Sequence, residues 1–116
     1  MHEILESLNS GVDALGSMVI TPDGIMVCAA LNQDFEEDSM AAFAASLLLS
    51  IKRSLQALEA KSSMKSCTLC ASNGRVMFFD METSYLVLVV DLGTALDANA
   101  GPIQEAIQRI STRRIA

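Results

Sequence analysis

The stretch SYLVLVVDL, Ser84 to Leu92, is apolar at consecutive positions instead of alternate ones. Successive side chains of a strand point to opposite faces, so this segment needs apolar cover on both sides. It predicts a central strand in a sheet with helices on its two faces. A chain of 116 residues has room for one such domain, residues 1–116, and not for two.

The rest of the chain supplies the neighbours. Ile4, Leu5 and Leu8 recur at helical spacing, which predicts a short first helix from His2 to about Asn9, broken by Gly11. ALGSMVI and IMVCAAL read as two strands joined by TPDG, where Pro22 and Gly24 suit a tight turn. A long helix is expected from about Asp38 to Ala60, with Asp38 or Ser39 as its cap and Glu36, Glu37 and Asp38 placing negative charge at its positive end. After the linker EAKSSMKS, the segments CTLCAS and RVMFFDM read as strands around an Asn73-Gly74 turn. The chain closes with a helix capped at Asn99, with Pro102 in its first turn and Ile103, Ile107 and Ile110 on its buried face. The fold class is therefore α/β: helix-strand-strand-helix-strand-strand-strand-helix, one five-stranded, mainly antiparallel sheet with helices on both faces.

The long helix has more apolar surface than this arrangement can bury. Met40, Ala44, Leu47, Ile51, Leu55 and Leu58 form one stripe, and Ala41, Ala45, Leu48 and Leu49 widen it beyond the roughly 100° that a core-facing helix presents. Hydrophobic residues make up 51% of the chain and aromatic residues only 4%, so this excess is aliphatic. It implies two contacts, one with the helix's own sheet and one with a partner chain, where the small Ala41 and Ala45 would admit another helix.

Several function classes are disfavoured. Eight Lys and Arg against fourteen Asp and Glu give a net charge of −6, which repels a phosphate backbone; the one basic cluster, Arg109, Arg113 and Arg114, suits a helix C-terminus. MHEILESLNS lacks the order of a secretory signal, and Met40 to Ile51 is too short to span a membrane, so a cytoplasmic protein without membrane insertion is expected. Cys67 and Cys70 lie three apart in a strand and must diverge, so they are read as free thiols, buried or half-buried, and not as a redox pair. His2, alone of its kind and at a frayed terminus, supports neither a metal site nor general-base chemistry. No catalytic residue, cofactor or metal is assigned. Asp80, Glu82 and Asp91 read as surface charges that could meet a basic partner.

The ordered set GVDALGSMVITPDGIMVCAAL, MAAFAASLLLSIKRSLQAL and YLVLVVDLGTALDANAGPIQEAIQRI resembles the Roadblock/dynein light chain family, in particular its bacterial Mgl-type branch of small-GTPase regulators in gliding motility. The resemblance implies a non-catalytic homodimer, paired through the long helix and the strand after it, that binds and regulates a Ras-like small GTPase or scaffolds a motor or signalling complex. On this reading the dimer interface comprises Ala41, Ala45, Leu48, Leu49 and Lys52 of the helix with Cys67 and Leu69 of the strand. Should the Leu48 face pack on its own sheet, the interface would move to Met40, Ala44, Leu47 and Ile51. The competing reading is a small-molecule sensor with a pocket between sheet and helices.

Overall fold

The computed structural model describes residues 1–58, 65–72, 74–91 and 100–115, with residues 100 and 113–115 described by backbone alone. In chain order the elements are α1 (His2–Val12), β1 (Gly16–Ile20), β2 (Met26–Leu31), α2 (Glu37–Ala57), β3 (Ser66–Ala71), β4 (Gly74–Asp80), β5 (Tyr85–Val90) and α3 (Ala100–Ile115). The strands form one sheet in the order β2-β1-β5-β4-β3, and every neighbouring pair is antiparallel.

The doubly apolar strand sits in the middle, as its composition requires. Leu86, Val87 and Leu88 are each 0% exposed. Leu86, Leu88 and Val90 face a layer made by α1 and α3, where they meet Ile4, Leu5, Leu8, Ile103 and Ile110. Val87 faces the opposite layer with Met18, Ile20 and Phe78, against Ala44 and Leu48 of α2. The alternation of one strand thus separates the two cores.

Gly11 does not end the first helix. α1 continues to Val12, and Asp13 closes it in the left-handed region at φ 55, its N–H donating to the Asn9 carbonyl. Val12 is buried, so extending the helix adds apolar cover that offsets the roughly 1 kcal/mol cost of an interior glycine. The missing side chain also brings the helix close to α3: a Cβ on Gly11 would lie 3.5 Å from Pro102 Cβ.

The turn after β1 requires its glycine. Gly24 has φ 89, its N–H donates to the Thr21 carbonyl at 2.9 Å, and Thr21 N–H donates to the Ile25 carbonyl at 2.9 Å. α2 begins at Glu37 with Glu36 at the cap position, and no side chain caps it, so neither Asp38 nor Ser39 serves as expected. Glu37 and Asp38 do lie in the first turn, where their negative charge complements the helix dipole. The expected end of this helix at Ala60, most of the following linker, Asn73 of the turn before β4 and the Asn99 cap lie outside the described residues.

Candidate functional site

α2 buries only a narrow line. Ala44 and Leu48 are 0% and 1% exposed, Met40 and Leu47 are half-buried against the same core, and Ile51 is also half-buried. Leu48, expected to face a partner, is therefore committed to the helix's own sheet and has no surface to offer. The Ala44 member of the alternative stripe is committed in the same way. Sequence periodicity groups these residues on one side of the helix but does not say which edge of that side stays open.

The two flanks of this line have different surroundings. On one, Ala45 abuts the β1–β2 turn so closely that a Cβ on Gly24 would come within 2.5 Å of Ala45 Cβ, and Lys52 Nζ lies 5.4 Å from the centroid of the Tyr85 ring. Ala41, one helical turn before Ala45, shares this flank. Of the two residues expected to admit a second helix, Ala45 is thus in contact with its own chain. On the other flank, Phe43 and Leu47 overhang β3, β4 and β5 and leave a cleft of about 260 Å³, lined also by Phe35, Leu69, Val76 and Val89. Phe43 is 49% exposed although it is one of only four phenylalanines in the chain. Leu49, also 49% exposed, is the expected α2 interface residue with the most accessible surface.

β3 forms the outer wall of that cleft and the sheet's far edge. Cys67 pairs with Phe78 and Leu69 with Val76, which places Cys67 and Leu69 on the α2 side of the sheet. Cys70, opposite Arg75, falls on the other side, so the two thiols diverge. Cys28, Cys67 and Cys70 are all free; Cys70 is exposed, not half-buried, because β3 has no neighbour beyond it.

The two edges of the sheet are treated differently. On β2, the Ala29 carbonyl is 2.9 Å from His2 Nδ1, and the Ala30 carbonyl accepts from Asn9 Nδ2 at 2.8 Å. His2 also pairs with Glu6, so it is held by two partners and is not frayed. Among the described residues no side chain bonds to the β3 backbone, and Ser66 to Ala71 contains neither charge nor proline to discourage a further strand. Among the described residues there is also no group of three His, Cys, Asp or Glu placed to hold a metal ion, and no helix long and apolar enough to cross a membrane.

The fold combines three helices and a five-stranded antiparallel sheet of order β2-β1-β5-β4-β3 with an apolar α2 flank and an open β3 edge. The Roadblock/LC7 domain model matches residues 1–91. The chain belongs to the Roadblock/LC7 family. Among solved structures it is similar to Myxococcus xanthus MglB, with a TM-score of 0.85 and 14% identity over 96% of this chain and 84% of that one. A Roadblock/LC7 domain from Streptomyces avermitilis superposes with a TM-score of 0.83 at 10% identity, covering 100% of this chain and 98% of its own. The gliding protein MglB of Thermus thermophilus gives 0.77 at 16% identity, covering 95% and 84%. At such identities the likeness establishes the fold, and the site rests on this chain's own residues. No significant match is found among curated proteins.

Proposed function

We propose that this Roadblock/LC7 chain is a non-catalytic interaction module that pairs with a second copy of itself, and that the pair binds and regulates a Ras-like small GTPase or scaffolds a motor or signalling complex. The observation that carries the reading is the apolar cleft between α2 and β3, which runs up to an unguarded sheet edge. A symmetric partner would extend the sheet across two β3 strands and seat its own Phe43 flank beside this one. Of the interface residues expected from sequence, Cys67 and Leu69 stay in the proposal; Phe43 and Leu47 replace Leu48, and Ala41, Ala45 and Lys52 leave it. Membership of the family and the likeness to MglB structures support a regulatory, non-catalytic role.

The test joins self-association to partner binding. Sedimentation equilibrium of the wild-type chain should give a dimer in the micromolar range, and Phe43→Glu should give a folded monomer, since the charge is introduced twice in a symmetric contact. Small GTPases loaded with GDP or with a GTP analogue should be captured by the wild type and lost by a Phe43→Glu monomer if binding spans both subunits. A wild-type chain that stays monomeric, or a Phe43→Glu chain that stays fully dimeric, would remove the interface. A stable dimer that captures no GTPase in either nucleotide state would leave scaffolding as the function.

A further inference from the structure

A second cleft, of about 520 Å³, lies on the opposite face of the sheet, between the β4–β5 turn and the second half of α3. Its apolar part is Met81, Ile107 and Ile110, and its polar part includes Asp80, Glu82 and Ser84. Ser84 is 0% exposed, and its Oγ has no hydrogen-bond partner among the described residues. The residue precedes Tyr85, which packs toward α2, and Leu86, which packs toward α1 and α3. Strand alternation therefore places Ser84 on the α3 side, where the cleft is. Its carbonyl is already used, accepting from Met81 N–H at 2.9 Å, so the hydroxyl alone is left over.

A buried hydroxyl without a partner is costly, and native proteins rarely leave one without a reason. Among the described residues that line the cleft, the charged ones are Asp80 and Glu82, both acidic. Asp80 Oδ1 accepts from Glu82 N–H at 2.8 Å, which leaves its second oxygen, and the exposed Glu82 carboxylate makes no ion pair among the described residues. Among the described residues the cleft lining contains no Lys, Arg or His. The site thus offers hydrogen-bond acceptors and negative charge next to an aliphatic surface. That pairing fits a chain of methylene groups ending in an ammonium, whose stem covers the apolar part while its N–H donors reach the carboxylates and, once the Ser84 side chain turns toward the cleft, its Oγ.

We propose that this cleft binds a primary alkylammonium group. The inference is independent of the dimer and of any GTPase. The test is a titration of isotope-labelled full-length protein at constant ionic strength, following the backbone amides of residues 81–85 and 107–111. Three probes are compared: cadaverine, N-acetyl-lysine methylamide and tetramethylammonium. The first two should produce saturable shifts confined to these segments. Tighter binding of cadaverine assigns the site to a free amine, and tighter binding of the lysine amide assigns it to a side chain presented by another protein. Tetramethylammonium, with the same charge but no N–H donor, should not bind. Ser84→Ala should leave the fold at least as stable, because it removes the unpartnered hydroxyl, yet weaken binding by about tenfold. Glu82→Gln, at an exposed position, should weaken it as well. Absence of saturable local shifts, equal shifts from tetramethylammonium, or unchanged affinity in both variants would overturn the proposal.

Discussion

Gly11 and Gly24 look alike in a sequence but answer to opposite constraints. Gly11 lies within α1, and a Cβ there would meet Pro102 at an ordinary contact distance of 3.5 Å. Gly11→Ala should therefore raise stability by about 0.5–1 kcal/mol, through reduced freedom of the unfolded chain and better helix propensity. Gly24 has φ 89, and a Cβ there would collide with Ala45 at 2.5 Å. Gly24→Ala should cost about 1–3 kcal/mol, because the strained backbone and the displaced helix add. Urea denaturation of the two variants checks both signs, and a stabilising Gly24→Ala would mean that the turn does not hold α2 in place. Leu48→Ala should be more damaging than either, by about 2–5 kcal/mol, since it opens a cavity between α2 and Phe78, Val87 and Met18. Loss of dimer without loss of stability in Leu48→Ala would contradict its place in the monomer core.

At the scale of elements, α2 and the two sheet edges carry the functional argument. β2 is occupied by His2 and Asn9, whereas β3 is not. Amide exchange should accordingly slow with rising protein concentration along β3 and stay constant along β2. Equal slowing on both edges would point to non-specific association instead of strand pairing. The central place of β5 was legible because consecutive apolar residues admit no other position, and the cysteines' divergence followed from strand alternation alone. The working flank of α2 was not legible. Ala41, Ala45 and Leu48 look like a helix-contact surface by size and spacing, but the turn at Gly24 and the ring of Tyr85, both distant in sequence, occupy that side. A signal did exist: Phe43 and Leu47 lie one turn apart, with Ser50 and Ser54 continuing the same line of the helix, and small polar residues there suit close approach. Gly11 was misread for a related reason, since propensity marks the cost of a glycine but not the burial of Val12 beyond it.

For the whole molecule, the proposed pairing links stability to concentration. A dimer that forms only from folded chains is stabilised by mass action, so dilution lowers its melting temperature. For a chain of 116 residues each tenfold increase in concentration should raise Tm by about 3 °C, given about 2.1 cal/mol/K of unfolding entropy per residue. Phe43→Glu should abolish this dependence while retaining cooperative unfolding, because Phe43 is half exposed in the single chain and contributes little to its core. Burying the remaining half of that ring is worth about 1 kcal/mol per subunit, enough with its symmetric copy to shift the dimer equilibrium by more than tenfold. The net charge of −6 makes salt a useful second variable. Screening like-charged protomers should strengthen an apolar contact, whereas it would weaken one held by ion pairs. Differential scanning calorimetry at two concentrations and two salt levels separates these cases. A Tm independent of concentration in the wild type, at either salt, would mean that the α2–β3 cleft is not where a second copy binds.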